Sequence, residues 1–188
     1  MRSLLTAAVI CVLPVFYPVQ AQQLQSVNDV TGARSWSRTH AGVYFSLTQI
    51  LPEQGDAFYV NRGFSLEQIR PFTTSCVYMT VLRNDSAPGI VHFVRGNWSI
   101  SVDGEPREFK TVDQWVKKLT AAEAGKPALI AFRWAQFPPE QEYEPGGDWN
   151  QGMLSVGLPA GQVFDITARW DLRGQSFEAT LTGVECAK

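Results

Sequence analysis

The feature that most narrows the folds open to this chain is the alternation from Val163 to Leu172, "VFDITARWDL". Phe164, Ile166, Ala168, Trp170 and Leu172 fall on one side; Asp165, Thr167, Arg169 and Asp171 fall on the other. Successive side chains of a strand point to opposite faces, so this run is a strand with one apolar face that needs a second layer to cover it. The turn "DLRGQ" then leads into "SFEATLTGVEC", where Phe177, Ala179 and Leu181 alternate with Glu178, Thr180 and Thr182. Two such runs joined by a short glycine-containing turn predict a β-hairpin.

The same period recurs upstream. "CVYMTVLRN" ends in the turn cluster "NDSAPG", followed by "IVHFVRG" and then by "NWSISVDG", which places Trp98, Ile100 and Val102 on one face. These three runs predict an antiparallel meander. "ALIAFRW", "MLSVGL", "GVYFSLTQI" and "AFYVNRG" add further expected strands. One amphipathic helix is expected over residues 112–124. Thr111 and Gln114 have the spacing of a capping box, Val112, Trp115, Val116 and Leu119 form one apolar stripe, and Gly125 and Pro127 end it. A shorter turn of helix is expected from Ser65, stopping before Pro71. The fold class that follows is mainly β: an antiparallel sandwich or barrel of about eight strands, with the 112–124 helix over an edge or end. Residues 22–40 show no period and are expected to be an irregular N-terminal arm, leaving 41–188 as a single β-rich domain.

Residues 1–21 have the form of a secretory leader, with Arg2 ahead of an apolar stretch and Val19-Gln20-Ala21 as a cleavage signal after Ala21. The stretch is short for a bilayer and broken by Pro14 and Pro18, so it predicts export to the periplasm or beyond and not a membrane span. Beyond the leader stand two of the chain's three cysteines, Cys76 and Cys186, which in an oxidising compartment predict a disulfide. The net charge of −2 and the lack of a basic cluster argue against nucleic acid as a partner.

Chemical motifs are sparse. His40 and His92 belong to no metal-ligand spacing, and His92 alternates inside "IVHFVR" on the side of Ile90 and Val94, as a core or edge histidine would. "GMLSVG" misses the spacing of a nucleophile elbow by one residue at Ser155. No phosphate loop, dinucleotide fingerprint or other cofactor motif is present in the sequence, and no metal site is expected. Asn84-Asp85-Ser86 and Asn97-Trp98-Ser99 match the glycosylation sequon, with Asn84, in its turn, the better placed.

The segment that stands out is "QFPPEQEYEPGGDWNQG", residues 136–152, an expected loop of unusual length carrying acids and aromatics. Its prolines stiffen it, and Glu140, Glu142, Tyr143, Glu144, Asp148 and Trp149 are the expected contact residues for a protein partner with a basic surface. The leading functional expectation is therefore an exported, non-enzymatic binding protein, an inhibitor or protective partner of a secreted or periplasmic protein. Six tryptophans make a carbohydrate or small-ligand module the alternative, with four (Trp98, Trp115, Trp134 and Trp170) assigned to the core. A hydrolase using a carboxylate pair such as Glu142 and Glu144 is the third.

Overall fold

The hairpin read from the alternation is present: Val163–Leu172 pairs antiparallel with Gln175–Glu185. Its two-residue turn, Arg173-Gly174, has φ of 53° and 77°, the positive values whose twist suits a right-twisted ribbon. The computed structural model describes residues 22–188, so the expected leader lies outside the described residues. In chain order the first elements are β1 (Leu24–Val27), β2 (Arg34–His40), β3 (Val43–Gln49), α1 (Pro52–Val60) and α2 (Leu66–Thr73). Next come β4 (Val77–Asn84), β5 (Val91–Val94), β6 (Ser99–Val102), β7 (Glu105–Arg107), α3 (Val112–Ala121) and α4 (Lys126–Trp134). The last are β8 (Glu140–Tyr143), β9 (Asp148–Ser155), β10 (Val163–Leu172) and β11 (Gln175–Glu185). A 3₁₀ turn, Arg95–Asn97, separates β5 from β6.

The strands form two antiparallel sheets, the first in the order β1-β2-β3-β4-β9, the second built around β10. Their facing sides enclose a core containing Phe45, Leu47, Tyr78, Leu82, Phe93, Trp98, Ile166, Trp170 and Leu181. A second core lies on the outer face of the first sheet, where Tyr59, Phe64, Ile69, Phe72, Trp115, Leu119 and Phe132 from the helices meet Val77 and Met153. The molecule is thus mainly β with sandwiched sheets, as expected, plus a helical layer on one side. Cys76, just before β4, and Cys186, just after β11, are joined by a disulfide with a Cα–Cα distance of 5.0 Å, stapling one sheet to the other.

The described residues hold eleven strands, where about eight were expected, and four helices, where one principal helix was. The stretch 22–40 is no irregular arm: it supplies β1 and β2, and Trp36 is only 2 % exposed in the sandwich core. Its pattern was hidden because β2 buries a single large side chain amid polar neighbours. "AFYV" belongs to α1 and "ALIAFRW" to α4. Both helices carry proline in the first turn, Pro52 and Pro127, where the missing N–H costs nothing; a proline that reads as a terminator is here a starter. Helix α3 is capped as expected by Thr111 and Gln114 but ends at Ala121. Helix α2 continues through exposed Pro71, on the side where water can satisfy the freed carbonyl. The expected meander is also corrected: β4 lies in the first sheet, and β5 and β6 pair with β10 and not with each other.

Tyr59, Tyr78 and Tyr143 are buried, and burial is the main cause that raises each phenol pKa above its ordinary value near 10. A raised folded-state pKa gives stability that is complete below the unfolded value and lost as pH climbs toward the folded one. The denaturant midpoint should therefore fall from about pH 10 upward. In a spectroscopic titration the three buried phenols should ionise only as the protein unfolds.

Candidate functional site

A break in the second sheet opens a cavity. Strand β11 occupies one edge of β10, so β5 and β6 share the other edge end to end. His92 lies opposite Asp171 and Ser99 opposite Thr167, so the six residues 93–98 span a stretch where β10 has only three. The surplus is thrown outward as the Arg95–Asn97 turn, anchored by Trp98 Nε1 donating to the Arg169 carbonyl (3.0 Å) and by Arg169 donating to the Asn97 carbonyl (2.8 Å). Outside this interrupted strand, β8 pairs only with β5 and β7 only with β6. The gap between them, roofed by the 107–113 connection and the 133–140 connection, is a cleft of about 770 Å³. That volume is in the range of small-molecule sites.

Buried Trp98 and Phe137, with Phe109, Val112, Pro138 and Pro139, give the cleft an apolar lining. Phe137 stacks on Phe93 at 5.3 Å and contacts Trp98 at 5.5 Å, which fixes the floor. Four cations line the same space: Arg95, Arg107, Lys110 and Arg133. Arg133 is committed to Asp113 (2.9 Å), and the carboxylate of Glu140 to His92 Nε2 (2.8 Å). Arg95 is the unusual member. It is half-buried, its Nη1 donates to the Phe137 carbonyl (2.7 Å), and its backbone N–H donates to the Pro139 carbonyl (2.8 Å). Among the described residues no carboxylate pairs with it, and desolvation lowers its pKa while leaving the guanidinium charged. Among the described residues Arg107 also lacks an ion pair, Lys110 rests over the Trp115 ring at 4.9 Å, and Glu108 forms no ion pair. The first turn of α3 adds the positive end of its dipole. The balance of uncommitted charge in the cleft is positive.

Segment 136–152 is not the structureless loop expected from its composition. It contains β8 and most of β9, two strands in different sheets, joined by a short turn at 144–147. Its six expected contact residues are dispersed. Tyr143 is 1 % exposed, stacked on Phe93, and so lies in the core and not on a contact surface. Glu140 stands on the cleft rim; Glu142 and Glu144 are exposed and line no part of the cleft. Asp148 is spent on the turn, accepting from the backbone N–H of Glu144 (3.0 Å) and Trp149 (2.9 Å). Trp149 is 47 % exposed on the outer face of the first sheet. Trp134, expected in the core, is 85 % exposed on α4, whose inward positions are Ala128 and Phe132.

The remaining motif residues have structural roles. His92 is half-exposed on the outward side of β5, opposite to buried Val91 and Phe93, and His40 packs edge-on to Trp170 at 6.3 Å. Ser155 is buried and shares a hydrogen bond with Ser75 Oγ (2.7 Å), so the near-miss elbow is a strand residue. The two sequons exchange rank. Asn84 is wholly buried, donating to the Gly89 and Tyr143 carbonyls and accepting from the Ala87 N–H, while Asn97 is exposed in the turn beside the cleft.

The cleft residues Arg95, Arg107 and Lys110 were not singled out by sequence reasoning. The trace they leave is the pause in alternation, "RGN", between "IVHFV" and "WSISV". Among the described residues no helix is long and apolar enough to cross a membrane. No family model, curated protein or solved structure matches the chain.

Proposed function

We propose that the chain is an exported binding protein whose cleft captures a small anion carrying an apolar body, such as an aliphatic or aromatic carboxylate. The observation that carries this reading is Arg95, a half-buried guanidinium at an aromatic floor with a backbone carbonyl as its side-chain partner. A desolvated cation without an acid partner is costly, and a ligand anion would offset that cost. Arg107 and Lys110 at the mouth would draw the anion in, while Trp98, Phe109 and Phe137 would cover its apolar part. The Cys76–Cys186 bond supports an oxidising compartment, in keeping with the leader read from residues 1–21.

This favours the small-ligand alternative over the expected inhibitor of a basic protein surface. Tyr143 is in the core, and Glu140 and Asp148 are engaged internally, so the acids of 136–152 do not converge on one contact patch. Glu142 and Glu144, the carboxylates considered for hydrolysis, face solvent outside the cleft.

Calorimetric titration with decanoate and with decanol provides the test. Decanoate should bind the native protein and decanol much more weakly. Arg95→Met should cost about 1.5–3 kcal/mol, a roughly tenfold to hundredfold loss, and Arg95→Lys should recover part of it. Equal affinity for both probes, or equal affinity of native and Arg95→Met proteins, would remove the reading.

A further inference from the structure

The outer face of the first sheet carries a second set of groups, away from the cleft. Register places Thr39 beside Tyr44, Tyr44 beside Arg83, and Arg83 beside Trp149, a row running at right angles to four strands. The helices cover this face further along, around Met79 and Met153, and leave the row itself open. Trp149 is 47 % exposed and presents ring surface to solvent, while Tyr44 is half-buried with Arg83 over one side of its ring. The Arg83 guanidinium lies over the Tyr44 ring at 4.9 Å and is held flat by both oxygens of Asp85. The Trp149 indole N–H has no protein acceptor among the described residues.

From this arrangement we propose a platform for a neutral, extended glycan lying along the row. Tyr44 and Trp149 are two strand spacings apart, about 10 Å, comparable with two residues of an extended pyranose chain. Aromatic rings set at that interval stack on the C–H faces of alternate sugars, and the indole N–H, the Arg83–Asp85 pair and exposed Gln151 in the next row supply partners for hydroxyls. The charge pattern selects a neutral chain. Asp85 neutralises Arg83, and Asp148 and Glu144 at the end of the row would repel uronate or sulfate. The cleft selects an anion and the platform an uncharged chain, so the two sites are separable.

Electrophoresis through native gels containing hydroxyethyl cellulose, galactomannan or polygalacturonate tests this. The native protein should be slowed by a neutral polymer and not by polygalacturonate. Trp149→Ala and Tyr44→Ala should each weaken the interaction about tenfold, the loss expected for one stacked ring. Trp149→Phe, which keeps a ring and removes the N–H, should lose less than Trp149→Ala. Free migration of the native protein in every neutral gel, stronger retardation by polygalacturonate, or equal losses in Trp149→Phe and Trp149→Ala would overturn the proposal. Decanoate binding by Arg95 is read separately, so either site can fail without the other.

Discussion

Replacing Cys76 and Cys186 together with alanine should lower the melting temperature by about 15 °C, the largest single effect expected in this protein. The bond closes a loop with a sequence separation of 110, for which the chain-entropy model gives about 4–5 kcal/mol. Both sulfurs are buried and joined to each other, so neither is open to other bonds in the native state. The loss should be thermodynamic and not local. Below the melting transition the variant should bind decanoate as the native protein does, because the bridge joins β4 to β11 and contributes no residue to the cleft. Scanning calorimetry with and without reductant checks the claim. A native transition unchanged by complete reduction would contradict it.

The second large effect is expected at Gly152, and it should reach the cleft. A Cβ at this position would lie 2.4 Å from the Phe137 nitrogen and 2.5 Å from its Cα, both backbone atoms with little room to move. The connection after α4 crosses β9 here, held by Phe137 N–H donating to the Met153 carbonyl (2.9 Å) and Met153 N–H donating to the Ala135 carbonyl (2.7 Å). Gly152→Ala must displace that crossing. Overpacking of this kind costs about 3 kcal/mol, or roughly 9 °C for a domain of this size. Phe137 is also the cleft floor and the acceptor for Arg95, so decanoate affinity should fall in parallel. Thermal unfolding and calorimetric titration of one preparation measure both. A variant that melted near the native temperature with full affinity would refute the link.

These contrasting expectations mark what was legible before any coordinates. The 163–185 hairpin declared itself because both strands bury one face and wet the other, so the alternation is nearly strict. The disulfide followed from a count of two and a compartment. Helices α1 and α4 did not declare themselves. Each is nine residues long, and "ALIAF" is apolar almost all round, so period alone could not separate helix from strand. Trp36 gave no sign of burial because its neighbours Ser35, Ser37 and Arg38 point toward water or toward polar partners.

The candidate site was legible only in part. Pro138, Pro139 and Glu140, singled out within 136–152, do line the cleft, yet the composition that drew attention there, its acids, is not what gives the cavity its charge. Arg95 comes from one connection and Arg107 and Lys110 from another, and the two meet because two short strands abut along β10 and each takes its own outer neighbour. That is a property of pairing across the whole second sheet, and no local window contains it.

The staple between the sheets also bears on the order in which the molecule is made. Cys76 belongs to the first half of the polypeptide, but its partner follows β11, so an emerging chain cannot close this bond until residues past 185 have left the ribosome. Closure of the sandwich is in this sense a late event, joining segments far apart along the chain, the kind of assembly that proceeds slowly and leaves sheet edges open meanwhile. An oxidant supplied too early, before Cys186 has emerged, would divert nascent molecules into mixed disulfides through Cys76. Maturation should depend as much on timing as on redox potential.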